Sequence, residues 1–113
     1  MKEVGSITLS ELNEMATSLY GDMVKAVVDI ERGVMIVDSD LHVDQEQLLL
    51  EQGSNQENLW GINLYPQKFG SDRFIEFDSM INIRPRQHNM SRGVENEEIK
   101  KIIIDLVIRK VSK

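Results

Sequence analysis

Apolar residues recur along the chain with two alternating periods, and each switch of period marks a new element. Thr8-Leu9-Ser10-Glu11 reads as a capping box, with Ile7 and Leu12 placed to form the hydrophobic staple. Leu9, Leu12, Met15, Ala16 and Leu19 then share one helical face, and Gly21 supplies the stop. From Met23 the period falls to two. Val24, Ala26, Val28 and Ile30 alternate with Met23, Lys25, Val27 and Asp29, a strand that turns at Gly33 into a second short strand, Val34 to Val37. Asp44 as N-cap and Gln47 as its box partner predict a second, short helix. Val43 and Leu48 would staple it, Leu48 to Leu50 anchor it, and Gly53 ends it.

The second half repeats the strand logic. Trp60, Ile62 and Leu64 share a face, Pro66 to Asp72 connects, and a long strand follows. In that strand Ile75, Phe77, Ser79, Ile81 and Ile83 face the core, while Phe74, Glu76, Asp78, Met80, Asn82 and Arg84 face away. Pro85 ends it. If Tyr65 pairs with Phe74, Asn63 lies opposite Glu76 and Gly61 opposite Asp78. A last helix starts at the N-cap Asn96, with Glu97 and Glu98 in its first turn and Arg109, Lys110 and Lys113 near its end. Its isoleucines, leucine and valines cover more than the ~100° stripe of a surface helix. Such a helix is buried on two sides, and the second side is expected to belong to another copy, giving a homodimer.

The order α-β-β-α-β-β-α predicts a two-layer α+β sandwich, in which three helices cover one face of a mainly antiparallel four-stranded sheet. The other face, carrying Asn63, Glu76, Asp78, Asn82 and Arg84, is left open to solvent, a ligand or a partner. At 113 residues the chain is a single domain, residues 1–113.

Composition excludes some chemistry. Without cysteine there is no disulfide or thiolate metal site, and nothing opposes a reducing cytoplasm. No apolar run approaches the ~20 residues of a membrane span. The net charge of −6 argues against non-specific nucleic-acid binding. That average hides an asymmetry: residues 1–72 carry 4 Lys or Arg against 13 Asp or Glu, whereas residues 73–113 carry 9 against 6. The asymmetry could mark a basic patch around the arginine loop, but the simpler reading is that the charges merely solvate different faces.

Arg84, Arg86, His88, Ser91 and Arg92, just before a helix N-terminus, are the parts of an anion or phosphate site. The acids Glu95, Glu97 and Glu98 count against it, and the plainer reading is a structural loop. Glu76 and Asp78, two apart on a strand, point the same way and could share Mg²⁺; otherwise they belong to a solvated, arginine-paired face. His88 with Glu76 could work as an acid–base pair. His42 beside Asp38, Asp40 and Asp44 could join a metal cluster, but reads more simply as a polar residue before the second helix. Trp60 fits core packing better than a stacking platform. No phosphate-binding glycine loop, zinc-protease motif or nucleophile elbow is present.

The segments GDMVKAVVD, LLLEQGSNQENLWGINLYP, FIEFDSMINIRP and SRGVE together resemble a small prokaryotic family known only as a domain of unknown function. The resemblance spans most of the chain and implies no activity, cofactor or catalytic residue. The residues themselves favour a non-enzymatic binding or regulatory module, whose polar face and arginine loop hold an anionic small molecule or a protein partner. The alternatives are a metal-dependent phosphodiester or nucleotide hydrolase and a structural assembly subunit.

Overall fold

In the computed structural model, which describes residues Met1–Lys113, the chain opens with two strands too short for any period to reveal, β1 (Lys2–Glu3) and β2 (Ile7–Thr8). Helix α1 (Leu9–Leu19) forms as its capping box dictates: Thr8 Oγ1 accepts from Glu11 N–H at 3.1 Å, and Glu11 Oε1 accepts from Thr8 N–H at 3.2 Å. Strands β3 (Val24–Asp29) and β4 (Val34–Val37) make the expected hairpin. Its turn closes because Asp29 Oδ1 accepts from the N–H groups of Glu31 and Arg32 while Gly33 takes the positive φ that L-residues avoid. Helix α2 (His42–Glu51), strand β5 (Leu59–Leu64), strand β6 (Ile75–Glu76), helix α3 (Glu97–Lys110) and strand β7 (Val111–Ser112) complete the chain.

The fold is mixed α+β, with three helices and a mainly antiparallel sheet. The main sheet has five strands in the order β1-β4-β3-β5-β6, and β2 pairs in parallel with β7 beside it. The expected four strands gain β1 at one edge. The predicted register holds at the other edge, with Asn63 opposite Glu76 and Tyr65 N–H donating to Phe74 O.

Two expectations are corrected. The helices do not lie on one face. Val24, Ala26, Val28, Trp60, Ile62 and Leu64 point towards α1 and α3 and form the larger core with Leu12, Ala16, Ile103, Leu106 and Val107. Val27, Ile36 and Leu59 point the opposite way and pack on Leu49 of α2. The sheet is covered on both sides, because β3, β4 and β5 also bury Val27, Ile36 and Leu59 on the α2 face, among polar residues such as Lys25 and Asn63. Nor does the strand after Phe74 run to Arg84: the chain leaves the sheet after Glu76 and folds across the α2 face through short 3-10 turns at Met80–Asn82 and Pro85–Gln87. Ile75 and Phe77 still touch the larger core, but Ile81 packs on the α2 side and Ile83 is exposed. The polar face expected to be open is thereby partly closed over, with Asn63 and Asn82 buried and Glu76 still exposed.

Candidate functional site

The departure of residues 77–93 from the sheet is written into a few side chains. Gly61 is buried in β5, and a Cβ there would stand 2.6 Å from Cβ of Ser79, so only glycine admits the loop so close. Where a neighbouring strand would have paired with Gly61, Asn82 does so with its amide: Oδ1 accepts from Gly61 N–H at 2.8 Å and Nδ2 donates to Gly61 O at 2.9 Å. Nδ2 also reaches Arg92 O. Asn89 holds the far side, donating to the carbonyls of Asn82, Ser91 and Gly93 and accepting from Glu95 N–H. Two buried amides thus bond seven backbone groups between them, and at Gly61 the Asn82 amide takes the place of a neighbouring strand.

The five residues of the expected anion site are divided by this loop. Arg84 lies 4.2 Å above the Trp60 ring and donates to the carbonyls of Gln56 and Leu59, a structural use of its planar donor fork. The side chains of Arg86 and His88 are exposed, and His88 holds a left-handed φ of 59° where the 3-10 turn closes. The Ser91 hydroxyl accepts from Gly93 N–H. The N–H groups of Met90 and Ser91 bind the Glu95 carboxylate, and the former in particular holds its pKa below the usual range. Arg92 turns away from the other four, towards α2.

The two carboxylates are also separated by their partners. Glu76 accepts from Asn63 Nδ2 at 2.8 Å and from the Tyr65 hydroxyl at 3.0 Å. Burial, then the bond to Glu76, pushes the Tyr65 phenol up to about 12. Asp78 takes Nε–H of Arg92 at 2.5 Å, a bond that raises the arginine's pKa. No three His, Asp or Glu side chains converge in a group able to hold a metal ion, around Glu76 or around His42.

Arg92 instead lines a cleft of about 190 Å³ together with Lys25, His42 and Ser79. Its apolar rim comes from Leu41 and Val43 on one side and Met80 and Ile81 on the other. Leu41, Val43 and Met80 are half or more exposed. Starting α2 at Asp44 makes His42 a polar residue before the helix or a metal-cluster member, and Lys25 and Ser79 are not among the site residues expected from the sequence. Helix α2 begins two residues earlier, with Leu41 as an N-cap that offers no side chain to the first turn. That shift turns His42 onto the sheet, where it is 7% exposed and its Nε2 lies 2.8 Å from Ile62 O. The contact makes Nε2 the protonated nitrogen. Burial outweighs the carbonyl and lowers the His42 pKa to about 4, so the ring is neutral at pH 7 and Nδ1, with no partner in the chain, keeps its lone pair. Only Nε of Arg92 is engaged, which leaves its two terminal nitrogens free, and no carboxylate lies within ion-pair distance of Lys25. The cleft therefore combines two cationic donors, one neutral acceptor and an apolar rim. The signal in the sequence was parity: Lys25 falls on the face opposite Val24 and Ala26.

A family described as a protein of unknown function (DUF5674) matches residues 4–110. The chain belongs to this family. That match bears out the resemblance read from the segments above, and it brings no activity or site residue with it. No curated protein and no solved structure matches the chain. No helix is long and apolar enough to cross a membrane.

Proposed function

We propose that this protein is a non-enzymatic binding module that holds a small anionic ligand, a carboxylate or a phosphate ester, in the cleft between the start of α2 and residues 78–92. The observation that carries this reading is the pair of cations, Lys25 and Arg92, lining a cleft with a histidine kept neutral by burial. An ammonium and the two free nitrogens of a guanidinium are donors suited to an oxyanion. His42 Nδ1 would accept from a hydroxyl or N–H of the same ligand, and Leu41, Val43 and Met80 would cover an apolar body. Among the five loop residues first expected to bind an anion, Arg92 keeps that role here, and Arg84 is spent on Trp60 and two carbonyls.

A thermal-shift series with inorganic phosphate, acetate, hexanoate and a phenyl phosphate ester tests the proposal, with chloride matched for ionic strength. A ligand that binds the native state raises Tm by mass action. One of these anions raises Tm in the wild type, and Lys25→Ala or Arg92→Ala abolishes the shift while Arg86→Ala retains it. The reading fails if no anion exceeds chloride, or if Arg86→Ala removes the shift as fully as Arg92→Ala.

A further inference from the structure

Five side-chain atoms of the protein are enclosed without a hydrogen-bond partner: Asp29 Oδ2, Gln45 Oε1, Trp60 Nε1, Asn63 Oδ1 and Arg84 Nε. His42 Nδ1 has no partner either, but it is not enclosed: the ring lines the cleft, and this edge of it reaches solvent. A group entering the cleft can therefore touch it. The other polar side chains of the cleft all have hydrogens to donate. Lys25 is an ammonium, and the two terminal nitrogens of Arg92 are unengaged because Asp78 takes only Nε–H. Ser79 Oγ accepts from Ile81 N–H at 3.3 Å, which leaves its hydroxyl hydrogen to donate. One open acceptor thus stands among three donor side chains. The bond from Nε2–H to Ile62 O, at 2.8 Å, holds the ring in the tautomer that accepts.

We infer that the cleft selects oxyanions that carry a hydroxyl of their own, as hydrogen phosphate and hydroxycarboxylates do, and discriminates against counterparts that lack one, with His42 as the residue that decides. This selection rests on the anion-binding reading proposed above and specifies which anions fill the cleft. Lys25, Arg92 and Ser79 serve the oxygens of any oxyanion alike, so they give affinity without choosing. His42 Nδ1 chooses. Towards a P–OH or C–OH it accepts a hydrogen bond. Towards a bare anionic oxygen it sets lone pair against lone pair and gives up its bond to water. A site built around a substrate hydroxyl rejects the analogue lacking it by ~10⁴ or more. At His42 the ratio is smaller, roughly tenfold or more, because Nδ1 is open to water rather than sealed. Phosphate and sulfate isolate the effect: both are tetrahedral, but at pH 7 phosphate keeps at least one hydroxyl and sulfate has none.

Backbone-amide NMR titrations at pH 7 and constant ionic strength test the selection, with phosphate against sulfate and 2-hydroxyhexanoate against hexanoate. They read Kd directly, whereas sulfate stabilises folded proteins without binding them. In at least one pair the hydroxyl-bearing member binds the wild type with a Kd lower by roughly tenfold or more, and the pair that shows it tells a phosphate ligand from a carboxylate one. His42→Gln, whose amide can donate to Ile62 O and still offer an acceptor, keeps the preference. His42→Leu binds both members of that pair alike. Should His42→Leu fail to fold, the imidazole nitrogens of the wild type decide: the hydroxyl-bearing anion shifts His42 Nδ1, and its counterpart at equal occupancy does not. Equal binding within both pairs overturns the selection and leaves the anion site standing. Binding by none of the four overturns both. A preference that survives in His42→Leu, or an Nδ1 that both anions shift alike, also overturns the selection.

Discussion

The two faces of the central sheet are built by different physics. On the side of α1 and α3, Val24, Ala26, Val28, Trp60, Ile62 and Leu64 meet aliphatic residues of the helices, and the larger core has no specific bond to misplace. On the side of α2, the apolar cluster is small, and the space is filled by polar side chains committed to backbone groups: His42 to Ile62 O, Gln45 to Lys25 O, Asn82 to Gly61 and Asn89 to four groups of the loop. An apolar face tolerates repacking because any shape of the right volume serves. A face of buried amides does not, because each lost partner leaves an enclosed donor or acceptor. The candidate cleft lies on the second face, where the positions of Ser79 and Arg92 depend on those amides.

The largest expected effect tests the apolar side. Ile62→Ala removes a fully buried side chain and should cost about 2–5 kcal/mol in denaturant unfolding. Ile62→Val should cost far less, about 0.5–1.5 kcal/mol, if volume alone matters there. The polar side should answer to pH instead. The folded pKa of His42, about 4, lies below its ordinary 6.5, so the unfolded chain takes up the proton first. The neutral ring opposes nothing above pH 6.5, and stability is lost as pH falls from 6.5 towards 4, by roughly 3 kcal/mol at the lower end. His42→Gln, which can keep the donor to Ile62 O, should flatten that segment of the stability curve relative to the wild type. An identical slope in both would remove His42 from the account.

A smaller effect separates shape from bonding on the same face. Asn82→Ala leaves Gly61 N–H, Gly61 O and Arg92 O without their amide and should cost about 1–3 kcal/mol, with faster hydrogen exchange at Gly61. Asn82→Asp keeps the shape and the acceptor but loses both donor bonds, so it should remain destabilising; wild-type stability in it would show that packing, not hydrogen bonding, closes the loop. The smallest effect lies on neither face. Thr8→Ala removes the capping box of α1 and should cost about 1 kcal/mol with the ligand shift of the cleft unchanged.

The first face was largely legible from the sequence and the second largely was not, for the same reason. Period-two alternation fixed β3, β4 and β5, and the pairing of Asn63 with Glu76, because apolar burial leaves a repeating mark. The alternation from Phe74 to Arg84 carried the same mark and misled: Ile81 is apolar because it packs beside α2, and Asn82 alternates with it while bonding inward to Gly61. A side-chain amide standing in for a strand has no period. The capping rule was right for Thr8 and Asn96, whose oxygens accept from Glu11 and Ile99. It failed at Asp44, because α2 starts on Leu41 with no cap, a start set by the burial of His42 against β5. Strands β1, β2 and β7, two residues each, are pairings made by tertiary proximity and leave no local trace.

The state of the His42 ring tests the account most directly, since the cleft has its mixed character only if that ring is neutral with Nδ1 free. Long-range proton–nitrogen correlation NMR of the imidazoles, followed through a pH titration and then with the best anion from the thermal-shift series, reads both nitrogens. The account predicts a protonated Nε2 and a bare Nδ1 at pH 7, a midpoint near 4, and a shift of Nδ1 on adding the anion that is lost in Arg92→Ala. A ring that titrates near its ordinary 6.5, or that carries its proton on Nδ1, would contradict it.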